Sequence, residues 1–523
     1  MRPLPRILGV LLGLGLFVAS CSSGDVEVER AADGSTTSEG PTTSSGAGGG
    51  TAPAAADDAL RLGLAGPMSL DPLAISPASI SSMILVDLIH DTLTEVDDDG
   101  LARPGLADFE PDQDRTRWRF VLRPEATFAD GSEITADDVV TSIDRVRSQG
   151  GASLAAIALE DVTEVTAVDP RTVEIAVASP SAVLPELLAS PLYGIIDRDL
   201  PPTAVGAPLN GSGAHTVEVP APDRLVLERR RGEGPEAIEL RLFPDDAAAY
   251  DAMSAGELDW SPVPVDRLGD AGTRFGLGGL VPFHATMLLG MNPNAEPLTL
   301  APLRQAISLA VDRSTLTEAV FGPTAQPLSG IVPTGTPGAA EDCVGICGPD
   351  VARARALVAE AFPNGAVPPV RLLTDDSATH TAIAGVLGEQ LGAIGIELAP
   401  TSLPASEYET ALGGSTQLFV YSTLGVGLSP VTHLLAWEST SPDNLATYGQ
   451  APVDELLQAT LADPDPNLRR TRWREIEAVI LADPPVVPLS QLRTVAVVSE
   501  RVRGLEVRVD GSIDVTEVEL RRS

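Results

Sequence analysis

The chain contains no lysine; all of its basic residues are arginine. That single absence removes several chemistries. A phosphate-cradling P-loop needs its lysine. Schiff-base and pyridoxal enzymes need a lysine amine. The bias itself reads as codon usage in a GC-rich genome. Aromatic residues make up only 4% of the chain, so a binding site will be poor in rings. Cysteines number three, too few for a disulfide scaffold. Basic residues number 35 against 73 acidic ones, a formal net charge of −38. Nucleic acid binding needs clustered cations, and so does docking on anionic lipid by charge alone; this balance disfavours both. There is no H-E-x-x-H and no G-x-S-x-G, and the five histidines (90, 215, 284, 380 and 433) are scattered. Neither a cofactor, a metal site nor an enzymatic role is expected from such a set. The Asp97-Asp98-Asp99 run reads as a solvated turn, with calcium binding as a minor alternative.

What is present starts with an export signal. Arg2 and Arg6 precede a short apolar run, Ile7 to Val18, followed by Ala19-Ser20 and then Cys21. The run is too short to span a membrane and suits a signal peptide over residues 1–20. Phe17-Val18-Ala19-Ser20-Cys21 resembles a bacterial lipobox, which implies cleavage before Cys21 and a lipid on its sulfur. Residues 22–57 are rich in Ser, Thr, Gly, Ala and Pro and cannot bury enough apolar surface to order themselves. As a coil this tether would span roughly 33 Å. The expectation is a globular body outside the cytoplasm, held at the cell membrane by an N-terminal lipid.

The body, from about Leu60, alternates strand and helix signals. Leu60 to Leu64 alternate as a strand, and Ile80 to Leu93 carry apolar residues at helical spacing. Arg117 to Leu122 alternate again. Thr135 with Asp138 predicts a capping box ahead of Val139, Val140, Ile143 and Val146. Thr315 with Glu318 predicts another. Val370 to Leu373, then Ile383, Leu387, Leu391 and Ile394, then Ile396 to Leu398 predict a βαβ unit and a partly parallel sheet. At 523 residues the chain is too long for one simple core. Cys343 and Cys347 predict a local disulfide rather than zinc ligation, since no histidine adjoins them.

Several segments in order resemble the extracytoplasmic solute-binding proteins of the oligopeptide, dipeptide and nickel type, family 5 of the ABC importers. These are Leu88 to Leu93, Arg103 to Ala107, Trp118 to Arg123, Phe128 to Gly131 and Thr135 to Val139. Then come Asn210 to His215, Ala255 to Asp259, Arg304 to Ile307 with Asp312-Arg313, Asn444 with Tyr448 and Asp454, and Asp483 to Leu489. The resemblance implies an α/β fold of two lobes, periplasmic-binding-protein-like (type II), with a small domain inserted in the first lobe. Lobe I would take 58–94, 186–281 and 486–523, the insert 95–185, and lobe II 282–485, after the signal peptide (1–20) and the lipidated linker (21–57). It implies a monomer that captures a peptide or peptide-like ligand and delivers it to an ABC permease and ATPase complex. The alternative is a surface lipoprotein that keeps this fold for signalling or scaffolding.

The chain departs from the family at one telling place. Peptide-binding members often hold the ligand's ammonium with an aspartate, in a stretch resembling gW-x-aDy-x-dP. Aligned on Pro430, the aspartate position falls on Val426 and the tryptophan position on Thr423. No carboxylate lies between Leu418 and Trp437. A buried ammonium without one is costly. The expected ligand is therefore a blocked, cyclic or modified peptide, or another mostly apolar solute. The candidate lining residues are Tyr421, Thr423, Leu424, Val426, His433 and Trp437, with Ser69 and Leu73 on the opposite lobe.

Overall fold

A computed structural model describes residues 59–75, 79–97, 99–150, 153–201, 209–276, 279–412, 416–441 and 443–521. The signal peptide, Cys21 and the linker lie outside these. Among the described residues no helix is long and apolar enough to cross a membrane.

The organising element is one 11-stranded mixed sheet. At its middle lie two 13-residue strands, Gly279–Met291 and Val486–Val498, paired antiparallel. On one flank, Leu418–Leu424 pairs antiparallel with Gly279–Met291, and Val370–Asp375 and Leu398–Leu403 follow in parallel. On the other flank, Trp260–Pro262 pairs with Val486–Val498. Beyond it come Leu60–Ala65, Ala237–Phe243, Arg224–Arg229 and His215–Ala221. The two long strands are thus the covalent passages between the flanks: the chain goes out along one and returns along the other. This is a two-domain α/β fold. Residues 502–518 return to the first flank, where Val502, Ile513, Val515 and Val518 share a core with Leu60, Leu62 and Trp260.

A separate four-stranded antiparallel sheet is built from Ala107–Pro111, Arg117–Leu122, Thr172–Val177 and Val162–Asp169. Arg117–Leu122 alternates exposed and buried residues along its length, the period of a sheet with one wet face. The helix Ala136–Arg147 covers the dry face with Val139, Ile143 and Val146. Its first turn is capped as predicted: Thr135 donates to Asp138 Oδ2 from its backbone N–H at 2.8 Å and from its hydroxyl at 2.6 Å. The predicted βαβ unit forms as Val370–Asp375, Ala378–Gly392 and Leu398–Leu403.

The second predicted capping box is corrected. The helix Arg313–Phe321 starts earlier, capped by Asp312, whose Oδ1 accepts from Thr315 N–H at 3.0 Å. Thr315 is therefore the capped residue, because a carboxylate two residues after Ala310 claims the free N–H first. Cys343 and Cys347 are joined by a disulfide, with Cα atoms 6.0 Å apart.

Several family-like segments have visible structural work. A side chain at Gly211 or Gly213 would place Cβ 2.5 or 2.7 Å from Ile89 O, so this turn tolerates glycine alone. Arg304 is buried and joins Asp483 in an ion pair. Asn444 closes a turn, accepting from Tyr448 N–H at 2.9 Å.

Candidate functional site

The site is built where the outgoing strand Gly279–Met291, the adjacent strand Leu418–Leu424 and the loop after it converge. Thr286 and Thr423 face each other across the two strands, with their hydroxyl oxygens 2.7 Å apart. The ladder between the two long strands shifts register between Pro282 and Thr286. Such a bulge bends the strand and re-aims its side chains. At this bulge His284 N–H turns away to Val509 O, at 2.9 Å, and the His284 ring lies 4.6 Å from that of Phe283.

The loop Leu424–Pro430 is buried throughout. Leu424 packs with Phe283 and Ala285, and Leu154 of the small sheet's unit leans on the same cluster. Val426 joins a core composed otherwise of residues 83–195, with Tyr193, Ile195 and, at its margin, Leu73. Its N–H donates to Thr432 Oγ1 at 3.2 Å. A Cβ built on Gly427 would sit 3.4 Å from Ser190. The loop therefore leaves its own flank and seats against the segment 186–195.

His433 follows on a short helix, Val431–Leu434, and is buried. Its Nδ1 has no hydrogen-bond partner among the described residues. Burial, and then the neighbouring His284, push its pKa down to about 3, so the ring is neutral at physiological pH. Gly425 lies between the two imidazoles. A Cβ there would be 2.6 Å from His433 Nε2 and 3.4 Å from His284 Nδ1.

The predicted lining residues separate into groups. Thr423, Leu424, Val426 and His433 gather around this junction, and Leu73 abuts the same core as Val426. Ser69 lies in the turn before Leu73, where its hydroxyl accepts from Asp71 N–H at 3.1 Å. Asp71 in turn pairs with Arg145 at 2.6 Å. Tyr421 and Trp437 pack inside a core with Phe419, Tyr448 and Trp473, and burial pushes the Tyr421 phenol up. His284, Thr286 and Gly425 were not among the predicted residues. The signal that could have found them is the pairing of Gly279–Met291 with Leu418–Leu424, which sets Thr286 opposite Thr423.

A second contact joins distant parts of the chain beside the loop. Arg469, on the helix Pro466–Ala482, is buried and bonds Glu186. Burial raises the Glu186 pKa to about 7, against the opposing pull of Arg469.

Comparison with known proteins agrees with this architecture. Residues 102–444 match the family described as bacterial extracellular solute-binding proteins, family 5. A glutathione-binding protein of Salmonella typhi is 23% identical over 440 residues, 78% of this chain and 84% of that protein. A dipeptide-binding protein of Bacillus subtilis is 21% identical over 465 residues, 82% of this chain and 86% of its own length. Among solved structures, the open, unliganded form of a periplasmic murein tripeptide-binding protein superposes with a TM-score of 0.76 at 20% identity, covering 88% of this chain and 97% of the other. HbpA2 from Haemophilus parasuis gives a TM-score of 0.75 at 17% identity, covering 89% and 100%.

Proposed function

Because the chain belongs to the bacterial extracellular solute-binding proteins of family 5, we propose that it captures a peptide-like solute between two hinged lobes and presents it to an ABC permease and ATPase complex. Proteins of this family carry solutes and do not transform them. The observation that carries the reading is the pair of long central strands: a body whose two flanks are joined covalently by these two passages can open and shut as rigid halves. Closure on a ligand is then driven by contacts that exist only when the halves meet.

In this reading the fold is the type II arrangement. Lobe I comprises 58–94, 186–281 and 486–523, the insert 95–185 and lobe II 282–485. Support for those limits comes from the sheet order and from the four-stranded sheet within 107–177. Cys21 carries the lipid that holds the protein at the membrane, and the protein works as a monomer. The ligand lies against Thr423, Leu424, Val426 and His433, facing Ser69 and Leu73. Since Val426 stands where peptide-binding relatives offer a carboxylate, the preferred solute is blocked, cyclic or otherwise free of an ammonium anchor. The named relatives bind glutathione, a dipeptide and a murein tripeptide, which supports a peptide-like class.

A thermal-shift screen followed by calorimetry, with free and N-acetylated di- and tripeptides, tests the reading. Binding that survives N-acetylation supports it. Tight binding of ordinary dipeptides that collapses on N-acetylation contradicts the ligand class. A complete absence of binding across peptides favours the second reading, a surface lipoprotein with a scaffolding role. The observation behind that alternative is the buried loop Leu424–Pro430, seated against residues 186–195.

A further inference from the structure

Resting on the proposal that this fold captures a peptide-like solute, we infer that the buried His433, flanked by Gly425 and His284, is the polar anchor of the site, and that it selects a ligand whose end is a neutral carbonyl, such as an N-acyl group.

Three features meet at the His433 ring. The first is an unsatisfied donor or acceptor. His433 is 5% exposed, yet its Nδ1 has no partner among the described residues. A buried polar atom without a partner is costly, and a ligand group arriving here would supply that partner. The second feature is Gly425. Its backbone φ is not in the left-handed region, so conformation does not demand glycine there. Space does: any side chain would start 2.6 Å from His433 Nε2. The third is location. Gly425 and His433 belong to the loop and helix that leave their own flank and seat against the segment 186–195.

The charge state decides the ligand class. A cationic pair would suit a carboxylate. Here burial and the adjacent His284 hold His433 neutral. A neutral imidazole cannot compensate a buried charge of either sign, and a buried charge without an opposite partner is far more costly than a dipole. It can donate one N–H to a carbonyl oxygen, with the other ring nitrogen left as acceptor. The chemistry that fits is an amide or acyl oxygen within a mostly apolar end, lying against Leu424, Phe283 and Leu154. A free amine, with no carboxylate between Leu418 and Trp437 to hold it, is disfavoured by the same balance.

The test compares tri-alanine with N-acetyl-tri-alanine by calorimetry, on the wild type, His433→Leu, His433→Asn and Gly425→Ala. The wild type is expected to bind the acetylated peptide at least about tenfold more tightly than the free one. His433→Leu removes the donor and should erase that preference. His433→Asn keeps a neutral donor and should restore part of it, a rescue that a packing role alone would not produce. Gly425→Ala should weaken both peptides, and melting temperatures report whether each variant is folded. If the wild type binds peptides but the variants show the same preference, or if the free peptide wins, the anchor is overturned while the receptor reading stands. If the wild type binds neither peptide, the receptor reading for peptides falls, and this inference falls with it.

Discussion

Gln491 of the returning strand donates from Nε2 to Phe283 O of the outgoing strand at 3.0 Å. This bond sits where the ladder between the two strands loses register. A bulge frees backbone groups that must find partners elsewhere, and this buried amide takes up one of them, Phe283 O. Its Nε2 also donates to Thr334 O at 2.8 Å, and its Oε1 accepts from Thr334 N–H at 2.9 Å and from Gln326 at 3.0 Å. The same bulge carries His284 beside Gly425, so the Gln491 side chain braces the strand on which His284 sits.

Gln491→Leu keeps the bulk and removes these bonds. Several backbone groups would be left buried and unpaired, at about 1–3 kcal/mol each with partial relaxation. We expect a loss of about 3 kcal/mol in urea unfolding, with an unchanged denaturant slope. A loss under about 0.5 kcal/mol would show that the bulge is satisfied by other means.

Glu477 gives a pH-dependent prediction. It is fully buried, and its Oε1 accepts from Ile331 N–H at 2.6 Å and Val332 N–H at 2.8 Å. Burial lifts its pKa from 4.5 to about 7. The folded protein therefore holds this proton more tightly than the unfolded chain does. The contribution is complete below about pH 4.5 and is lost as pH rises through about 7, by roughly 3 kcal/mol. Glu477→Gln mimics the protonated form and does not titrate. Its stability should change less between about pH 5 and pH 8 than that of the wild type. Parallel profiles would place the proton elsewhere.

The Arg469–Glu186 pair makes a third prediction. Both side chains are largely buried. Arg469→Met leaves a buried carboxylate alone, which costs about 3–5 kcal/mol. The cost should be greatest near pH 8 and shrink near pH 5, where Glu186 takes up a proton instead. Pairing it with Glu186→Leu should recover most of the loss in a double-mutant cycle. Additive effects would mean the two do not act as a unit.

The sequence made much of the fold readable, because the local signals agree with the final structure. Alternation in Arg117–Leu122, the Thr135–Asp138 cap and the strand–helix–strand run from Val370 to Leu403 each follow from signals between neighbours in the chain. At the helix Arg313–Phe321 local signals were not enough: Asp312 and Thr315 could each cap it, and the geometry gives the cap to Asp312. The site was harder to read. Thr423, Leu424, Val426 and His433 lie together in the chain, so a single segment proposes them all. His284 and Thr286 come from a strand more than a hundred residues earlier, and the bulge that aims His284 depends on pairing with residues near Gln491. Tyr421 and Trp437 look like pocket aromatics in sequence, yet pack with Phe419 and Tyr448. A ring's chemistry suits a core as well as a cleft.

Native mass spectrometry of the full-length protein, purified from its own host without denaturation, decides whether the two halves hold a solute. A population carrying one small, neutral-ended, peptide-like adduct that is released on unfolding is the expected result. Bare protein alone, together with no uptake of adduct from a host extract, would contradict it.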